Sequence, residues 1–293
     1  MSPSPSSCPR SVVARLRAAG CVFAEDEARL LLSAARTPAA LAAMVDRRTA
    51  GAPLEHVLGW AEFCGLRIAV DRGVFVPRRR TEFLARQVAA LARHVAAPAG
   101  ELRGSPHAVV VDLCCGSGAV GAAVLAAVDR VELYAVDIDP AAVRCARRNL
   151  SGRGPVYEGD LYEPLPAALR GRVDLVVANA PYVPTGAIGL LPAEARVHEA
   201  RVALDGGPDG LDVQRRVAAA ARQWLAPGGH LLVETSARQV PRTVESFVRD
   251  GLVPRVAASE ELDATVVIGT WPALTPPAPR GAGRPRRAAG PSR

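Results

Sequence analysis

Four consecutive residues, Asn179-Ala180-Pro181-Tyr182, have the types that could hold a reacting group. An amide side chain, a backbone carbonyl, a rigid proline and an aromatic ring can together hold one small planar group. The stretch directly follows the apolar run 173–178, which is typical of a buried strand. Ligands of open α/β sheets bind outside the carboxyl ends of the strands, so this position predicts a chemical site.

A glycine turn and an acidic residue predict a second site, for an adenosine-like cofactor. Gly116-Ser117-Gly118 follows a short apolar strand, and Asp137 ends the next strand. Glycines let the backbone approach a ligand, and a carboxylate can accept hydrogen bonds from both ribose hydroxyls. The phosphate fingerprint is absent: Cys114-Cys115-Gly116-Ser117-Gly118 is not G-x-G-x-x-G, and a chain without lysine has no G-x-x-x-x-G-K-[ST] loop. A cofactor without pyrophosphate is therefore favoured, and S-adenosylmethionine fits that description.

The residues predicted to bind this cofactor follow the ends of successive strands. Asp137 should hold the ribose, and the adenine should lie near Asp160-Leu161 after the third strand. The predicted set is Asp112, Cys114, Cys115, Gly116, Ser117, Gly118, Asp137, Ile138, Asp160, Leu161 and Asn179. The two cysteines are predicted to be packing and turn residues rather than nucleophiles. Five scattered histidines lack metal-ligand spacing, so no metal is predicted.

The elements that must position these residues follow from the hydrophobic pattern. From Ala108 the chain alternates strand, turn and helix, which predicts an α/β fold with a doubly wound, mostly parallel, seven-stranded sheet. Helical spacing over residues 11–50 predicts a small N-terminal helical module, and residues 53–77 suggest paired strands. The last helix before the fifth strand is predicted over 213–225, closed by Pro227-Gly228-Gly229.

Four segments are predicted from these patterns. Residues 1–10 form a disordered start, 11–100 a substrate-recognition module with a β-hairpin and a connecting helix, 101–272 the catalytic domain, and 273–293 a disordered Arg/Pro/Gly tail. No apolar run approaches the roughly 18 to 20 residues of a membrane span. The start lacks the apolar stretch of a signal peptide, and six sparse cysteines suggest reduced thiols, so we expect a cytoplasmic protein.

The net charge of +7 suggests nucleic acid until its position is considered. Residues 274–293 hold five arginines and no acidic residue, so the rest of the chain carries 7 − 5 = +2. A protein that follows a phosphate backbone usually has a basic face on its folded domain. Nucleic acid is therefore a disfavoured substrate, although the tail could contact RNA.

Several stretches resemble the ordered motifs of the release factor glutamine methyltransferase family, the protein-(glutamine-N5) type of class I methyltransferase. They are Asp112-Leu-Cys-Cys-Gly-Ser-Gly, Ala135-Val-Asp-Ile-Asp-Pro, Gly159-Asp-Leu-Tyr-Glu-Pro-Leu, Asn179-Ala-Pro-Tyr, Pro53-Leu54 through Gly59, Val76-Pro77-Arg78 with Thr81-Glu82, and Ala203-Leu-Asp-Gly-Gly-Pro-Asp-Gly-Leu211. The N-terminal stretches and the stretch from Ala203 to Leu211 are the most specific for this family, and the resemblance covers roughly residues 10 to 270.

The resemblance implies a Rossmann-like fold, S-adenosylmethionine as cofactor and methylation of a glutamine side-chain amide. The implied substrate is the Gly-Gly-Gln loop of a peptide chain release factor, bound by a monomer. Asn179, Ala180, Pro181 and Tyr182 are implied as catalytic and substrate-binding residues. Glu199 is implied as a substrate-binding residue, and it could instead anchor its loop near the site or belong to a solvated pair with His198.

The chain departs from the family pattern at three places. Cys114 stands for the first turn glycine, which is acceptable if its backbone is ordinary, since only a positive φ requires glycine. Ala180 stands for a proline, and Arg79 and Arg80 stand for a proline and an acid. These changes suggest a diverged member whose N-terminal module meets its partner differently.

The catalytic motif suits methylation of an amide. The Asn179 side-chain oxygen and the Ala180 carbonyl can each accept one N–H of the acceptor amide and direct its nitrogen at the methyl group. Both acceptors also stabilise the positive charge that develops on nitrogen, and proton loss can follow transfer. Two alternatives stay open: methylation of an exocyclic amine of adenine or cytosine in DNA or RNA, and a catalytically silent cofactor-binding protein.

Overall fold

The N-terminal module is a cluster of four helices in a computed structural model that describes residues 8–96 and 107–273. The helices are α1 (Pro9–Ala18), α2 (Ala24–Ala34), α3 (Pro38–Thr49) and α4 (Leu54–Leu58). Apolar residues at helical spacing, among them Val12, Leu16, Leu31 and Val45, form their common core, as the sequence predicted. The predicted disorder of 1–10 and 273–293 falls almost wholly outside the described residues, except that α1 already begins at Pro9.

A hairpin and a long helix connect this module to the sheet. Strands β1 (Trp60–Phe63) and β2 (Leu66–Ala69) pair antiparallel through Cys64 and Gly65. Helix α5 (Thr81–Val95) begins where the pattern predicted, and its apolar face is buried. The predicted boundary between residues 100 and 101 lies outside the described residues.

The main sheet has seven strands in the order β5-β4-β3-β6-β7-β9-β8. The strands are β3 (Ala108–Leu113), β4 (Val131–Asp137), β5 (Val156–Glu158), β6 (Val173–Ala178), β7 (Leu225–Thr235), β8 (Val253–Ser259) and β9 (Ala264–Thr270). All neighbours pair in parallel except that β9 is antiparallel to both β7 and β8. The predicted mostly parallel, seven-stranded sheet is confirmed.

Helices cover both faces of the sheet, because successive residues of its central strands point to opposite sides. Helices α5, α6 (Ala119–Ala127) and α7 (Pro140–Leu150) pack on the face that contains Val110 and Leu175. Helices α9 (Asp212–Ala221) and α10 (Val240–Arg249) pack on the face that contains Val111 and Val176. The short helix α8 (Ala193–His198) lies between β6 and α9 in the chain.

One predicted boundary is wrong. The sequence placed 213–225 in a helix and began the next strand at His230, but α9 ends at Ala221 and β7 begins at Leu225. Leu225 pairs with Val173, and the register shifts before His230 pairs with Leu175. A Cβ on Gly229 would lie 2.9 Å from the Val173 carbonyl oxygen, so this glycine permits a close approach of strands rather than closing a helix.

The strand order reverses between β3 and β6, and such switch points are where open α/β sheets bind ligands. Both strands lie at the centre of the sheet, with Asp112 near the end of one and Asn179 directly after the other. No helix in the described part of the chain is long and apolar enough to cross a membrane.

Candidate active site

A cleft of about 580 Å³ opens at the carboxyl ends of β3, β4, β5 and β6. One wall comes from these strand ends, and the other comes from Pro53, Glu55 and Phe75 of the N-terminal segment. Every residue predicted for catalysis, substrate or cofactor lines this cleft except Gly118. Gly118 packs behind the turn, where an added Cβ would lie 3.1 Å from the Ala146 Cβ.

The glycine turn has three residues in the left-handed backbone region. Cys114 has φ 54°, Gly116 has φ 55° and Gly118 has φ 76°. The condition under which a cysteine would be acceptable at position 114, an ordinary backbone, is therefore not met, because a non-glycine residue in this conformation brings its Cβ against the next carbonyl oxygen. Burial raises the pKa of both Cys114 and Cys115, which keeps them as thiols and agrees with a packing role.

Replacing Cys114 with glycine should stabilise the chain by roughly 0.5 to 1 kcal/mol. Removing the strain of a left-handed cysteine stabilises the folded chain by about 1–2 kcal/mol. The greater conformational freedom of glycine in the unfolded chain offsets about half of this stabilisation. Urea unfolding of the wild type and Cys114→Gly measures the difference. Cys115→Gly is the matched control: Cys115 is buried at an ordinary φ, so its loss should destabilise the chain. Equal destabilisation by both variants would contradict the assignment of strain to Cys114.

The turn also contains the G-x-G-x-x-G motif, which was predicted to be absent. Residues 116–121 read G-S-G-A-V-G and do match G-x-G-x-x-G, so its apparent absence was an error. The last glycine, Gly121, packs closely: an added Cβ would lie 2.8 Å from Leu133 Cδ2. Its N–H donates to Asp112 Oδ2 at 3.0 Å. The motif here secures the contact between helix and strand, and by itself it does not distinguish a dinucleotide from another adenosine cofactor.

Asp112 is a buried carboxyl at the floor of the cleft. Burial raises its pKa to about 7, and nearby Asp137 adds to the rise, while the hydrogen bond from Gly121 opposes it. The folded chain therefore holds a proton on Asp112 at pH values where the unfolded chain has lost it.

Asp112 should make the free energy of unfolding fall as the pH rises from about 4 to 7. Unfolding releases a proton in that window, which lowers the free energy of unfolding by up to about 1.4 kcal/mol per pH unit, and the effect levels off above the folded pKa. Asp112→Asn has no such proton. Urea unfolding at pH 5 and pH 7 should show a smaller decrease for Asp112→Asn than for the wild type. The same slope in both proteins would show that Asp112 is already ionised in the folded state.

Asp137 has both carboxylate oxygens directed to backbone. Its Oδ2 accepts from the Gly116 N–H at 2.8 Å, and its Oδ1 accepts from the Asp139 N–H at 2.9 Å. Burial raises its pKa, and these two hydrogen bonds partly oppose the rise. Each carboxylate oxygen has a second lone pair, so Asp137 can still accept two hydroxyl groups from the cleft.

Asp160 follows β5 and is held by a residue that the sequence did not single out. Arg216 of α9 donates to Asp160 Oδ2 at 2.6 Å, and both residues line the cleft beside Leu161. The pair is 56 residues apart in the chain, and no local pattern signals it.

Asn179 and Ala180 offer two hydrogen-bond acceptors side by side. Asn179 Nδ2 donates to Thr81 Oγ1 at 3.3 Å, which leaves Asn179 Oδ1 available as an acceptor. The Ala180 carbonyl accepts no hydrogen bond from the described residues. Thr81 begins α5, so a residue of the N-terminal segment orients the side-chain amide of Asn179, and the sequence did not assign Thr81 this role.

Tyr182 lines the cleft beside Asn179 and Ala180, and we call the part of the cleft that these three residues border the acceptor end. Its hydroxyl donates to Glu234 Oε1 at 3.4 Å, and Gln239 Nε2 donates to its carbonyl at 3.0 Å. Burial raises the pKa of Tyr182 to about 12, and the negative Glu234 adds to the rise. The ring is therefore held by its hydroxyl, and Tyr182 lines the cleft.

The glycine-rich stretch after α8 packs against residues 181–183, at the end of the motif that is predicted to be catalytic. Gly206 N–H donates to the Val183 carbonyl at 2.9 Å, and Val183 N–H donates to the Leu204 carbonyl at 3.0 Å. A Cβ on Gly206 would lie 2.6 Å from the Pro181 carbonyl oxygen. A residue with a side chain cannot sit there without shifting the motif, which explains glycine at this position.

Glu199 anchors its loop to the N-terminal segment. Its side chain is fully buried and accepts from Arg78 Nη2 at 2.6 and 2.7 Å and from the Val76 N–H at 3.2 Å. The predicted anchoring role is therefore observed, whereas the solvated-pair interpretation is wrong. A second ion pair nearby, from Arg48 to Glu194 at 2.6 Å, ties the same loop to α3.

The chain is similar to curated proteins over most of its length. It is 36% identical over 235 residues to a release factor glutamine methyltransferase of Geobacter sulfurreducens, covering 79% of this chain and 77% of that protein. It is 37% identical over 208 residues to a 4-amino-L-phenylalanine/4-methylamino-L-phenylalanine methyltransferase of Streptomyces pristinaespiralis, covering 71% of this chain and 69% of that protein. The family profile described as a methyltransferase small domain matches residues 89–210.

The fold has solved counterparts as well. A methyltransferase from Pyrococcus furiosus matches with a TM-score of 0.50 and 16% identity, covering 71% of this chain and 90% of that chain. At that identity the likeness concerns the fold alone, and it agrees with the class I methyltransferase architecture of the sheet.

Proposed function

Because the chain belongs to the release factor glutamine methyltransferase family, we propose that it methylates the side-chain amide nitrogen of a protein glutamine, in the Gly-Gly-Gln loop of a peptide chain release factor. The pair of acceptors at Asn179 and Ala180 carries this proposal. Their two oxygens match the two N–H groups of a primary amide. Since termination of translation takes place in the cytoplasm, we expect the enzyme there, and we expect it to act as a monomer.

The residues of the cleft fit S-adenosylmethionine as the methyl donor. Gly116 lines the cleft, and a Cβ there would meet no atom within 4 Å, so the glycine leaves open space beside the turn. Asp137 has free lone pairs for a ribose, and Asp160 with Leu161 borders the position expected for the adenine. When bound, this cofactor would supply a sulfonium methyl group as the electrophile.

The residues of the chain would act by orientation and charge. Asn179 Oδ1 and the Ala180 carbonyl would each accept one amide N–H, which directs the nitrogen along the line of attack. Both oxygens become stronger acceptors as positive charge develops on that nitrogen. Tyr182 would pack against the amide plane and exclude water. Since the second acceptor belongs to the backbone, Ala180 can perform the chemistry of the family's proline.

Methyl transfer from radiolabelled S-adenosylmethionine tests the proposal. Purified release factors, ribosomal proteins and nucleic acid are offered in parallel, and the modified residue is mapped by mass spectrometry. Label on the glutamine of the Gly-Gly-Gln loop, absent when that glutamine is replaced by glutamate, supports the proposal. Label on nucleic acid supports base methylation instead. Cofactor binding with no label, unchanged in Ala180→Pro, supports a silent binding protein.

A second candidate function is methylation of the amine of a small molecule that bears a carboxylate. Three arginines line the cleft; Arg78 pairs with Glu199 and Arg216 with Asp160, but Arg80 has no ion-pair partner among the described residues. Its guanidinium is free to bind a carboxylate near the acceptor end. The relative from Streptomyces pristinaespiralis acts on such an amine.

Activity on 4-amino-L-phenylalanine decides between the two candidates. If the small molecule is the substrate, Arg80→Gln should raise its KM at least about tenfold, because the carboxylate loses a charged partner. Arg79→Gln removes the neighbouring exposed arginine, which does not line the cleft, and serves as the control. No turnover of the free amino acid by the wild type rejects this candidate.

A further inference from the structure

Glu234 is a buried carboxyl directly behind the acceptor end of the cleft, and the sequence did not single it out. It is 2% exposed and lies near the end of β7. Ala178 pairs with Val233 in the neighbouring strands, so Glu234 is level with Asn179. Glu234 does not line the cleft itself, whereas Asn179 and Tyr182 do.

The hydrogen bonding of Glu234 is incomplete. Its Oε1 accepts from the Tyr182 hydroxyl at 3.4 Å, but its Oε2 is buried with no hydrogen-bond partner among the described residues. A buried, unsatisfied carboxylate oxygen is costly and calls for a donor. The Thr81 hydroxyl lies near Glu234 and lowers the pKa of that carboxyl. Thr81 Oγ1 accepts a hydrogen bond from Asn179 Nδ2, so the proton of the same hydroxyl is available for donation.

We propose, resting on the proposed function, that Glu234 is a positioning residue for the acceptor amide. In this relay the Thr81 hydroxyl turns to donate to Glu234 Oε2, which has no partner among the described residues in the present arrangement, and the Thr81 oxygen accepts from Asn179 Nδ2. This relay of donors fixes the orientation of the Asn179 amide, with Oδ1 toward the cleft. Its Oε1 holds the Tyr182 hydroxyl, so one carboxylate orients both side chains that face the acceptor.

The relay requires Glu234 to be ionised, since a protonated carboxyl offers one acceptor fewer. Burial raises the pKa of Glu234, and Thr81, Arg80 and Tyr182 partly offset the rise. The neighbouring elements place uncharged residues beside Glu234. Gln214 of α9 donates its Nε2 hydrogen to the Glu234 carbonyl, and Val266 of β9 pairs with Glu234 in the sheet. Arg80 and Tyr182 are thus the charged or titratable groups that face it.

Kinetics of Glu234→Gln test the proposal. The glutamine amide can accept from one hydroxyl, but its NH₂ group faces the other, so kcat should fall about tenfold. The KM for S-adenosylmethionine should not change. In the wild type kcat should rise with pH across the raised pKa of Glu234, and this acid limb should be absent in Glu234→Gln. Glu132→Gln is the matched control, because Glu132 also accepts from a tyrosine hydroxyl, that of Tyr134, outside the cleft.

Thr81→Val tests the relay separately from the carboxylate. If both residues act through one chain of hydrogen bonds, the double variant should lose little more activity than either single variant. Additive losses in kcat, or a Glu234→Gln variant with wild-type kcat and pH profile, would overturn the proposal.

A readout without activity separates this proposal from the proposed function. The side-chain ¹⁵N–H signals of Asn179, assigned by their loss in Asn179→Ala, should shift with pH in the wild type and remain constant in Glu234→Gln. Invariant signals in the wild type would overturn the relay even if glutamine methylation is confirmed. Titrating signals in an enzyme that methylates no protein would support the relay and reject the proposed substrate.

Discussion

Asn179→Ala should lower kcat for glutamine methylation roughly 1,000-fold while the affinity for S-adenosylmethionine remains near that of the wild type. The change removes the side-chain acceptor that orients the amide and meets its developing charge, and loss of one such group typically costs about 10² to 10³ in rate. Loss of orientation adds to it. Thr81, which is 3% exposed, loses one hydrogen-bond donor, and a loss of about 1 kcal/mol should leave the fold intact. Single-turnover kinetics and calorimetric titration measure the two quantities.

Gln223→Ala provides the control for this variant. Gln223 is an exposed amide that accepts from Arg170 at 2.9 Å, and it precedes β7, at the edge of the sheet opposite the cleft. Its removal should leave kcat unchanged. If Asn179→Ala instead weakened the cofactor and kept kcat at saturation, Asn179 would belong to the cofactor site and the acceptor pair would need another residue.

Asp137→Ala should weaken the binding of S-adenosylmethionine by about 100-fold or more. Two hydrogen bonds from ribose hydroxyls to a carboxylate are worth about 1.5 kcal/mol or more each, and 1.4 kcal/mol corresponds to a factor of ten. The variant also removes the acceptor for the N–H groups of Gly116 and Asp139, which loosens the turn. Calorimetric titration gives the affinity, and thermal unfolding gives the accompanying loss of stability.

Asp139→Ala is a close control, because Asp139 lines the same cleft and also binds backbone. Its Oδ1 accepts from the Ala141 N–H at 2.8 Å and caps α7. Losing this cap should cost about 1 kcal/mol of stability but little cofactor affinity. Equal losses of affinity in both variants would show that the turn as a whole, and not the Asp137 carboxylate, determines binding.

The sequence by itself determined the architecture and most of the cleft. Strand and helix periods and the position of Asn179 after an apolar run are local properties, and local pattern decides which segments become strands ending at one edge of a sheet. Parallel strands then bring their carboxyl ends together, so Asp112, Asp137, Asp160 and Asn179 meet without further information. The predicted helix end near Gly229 was wrong because this glycine is required by a close contact with Val173, which is distant in the sequence.

Only the tertiary structure decided which partners orient the site. Thr81 reaches Asn179 across 98 residues, Arg78 reaches Glu199 across 121, and Tyr182 reaches Glu234 across 52. Nothing in the local sequence marks these pairs, because each forms where packing of separate elements places a donor against a buried acceptor. The left-handed backbone of Cys114 could not be predicted for a related reason. The turn as a whole imposes its φ, and the residue type does not indicate that a cysteine is strained there.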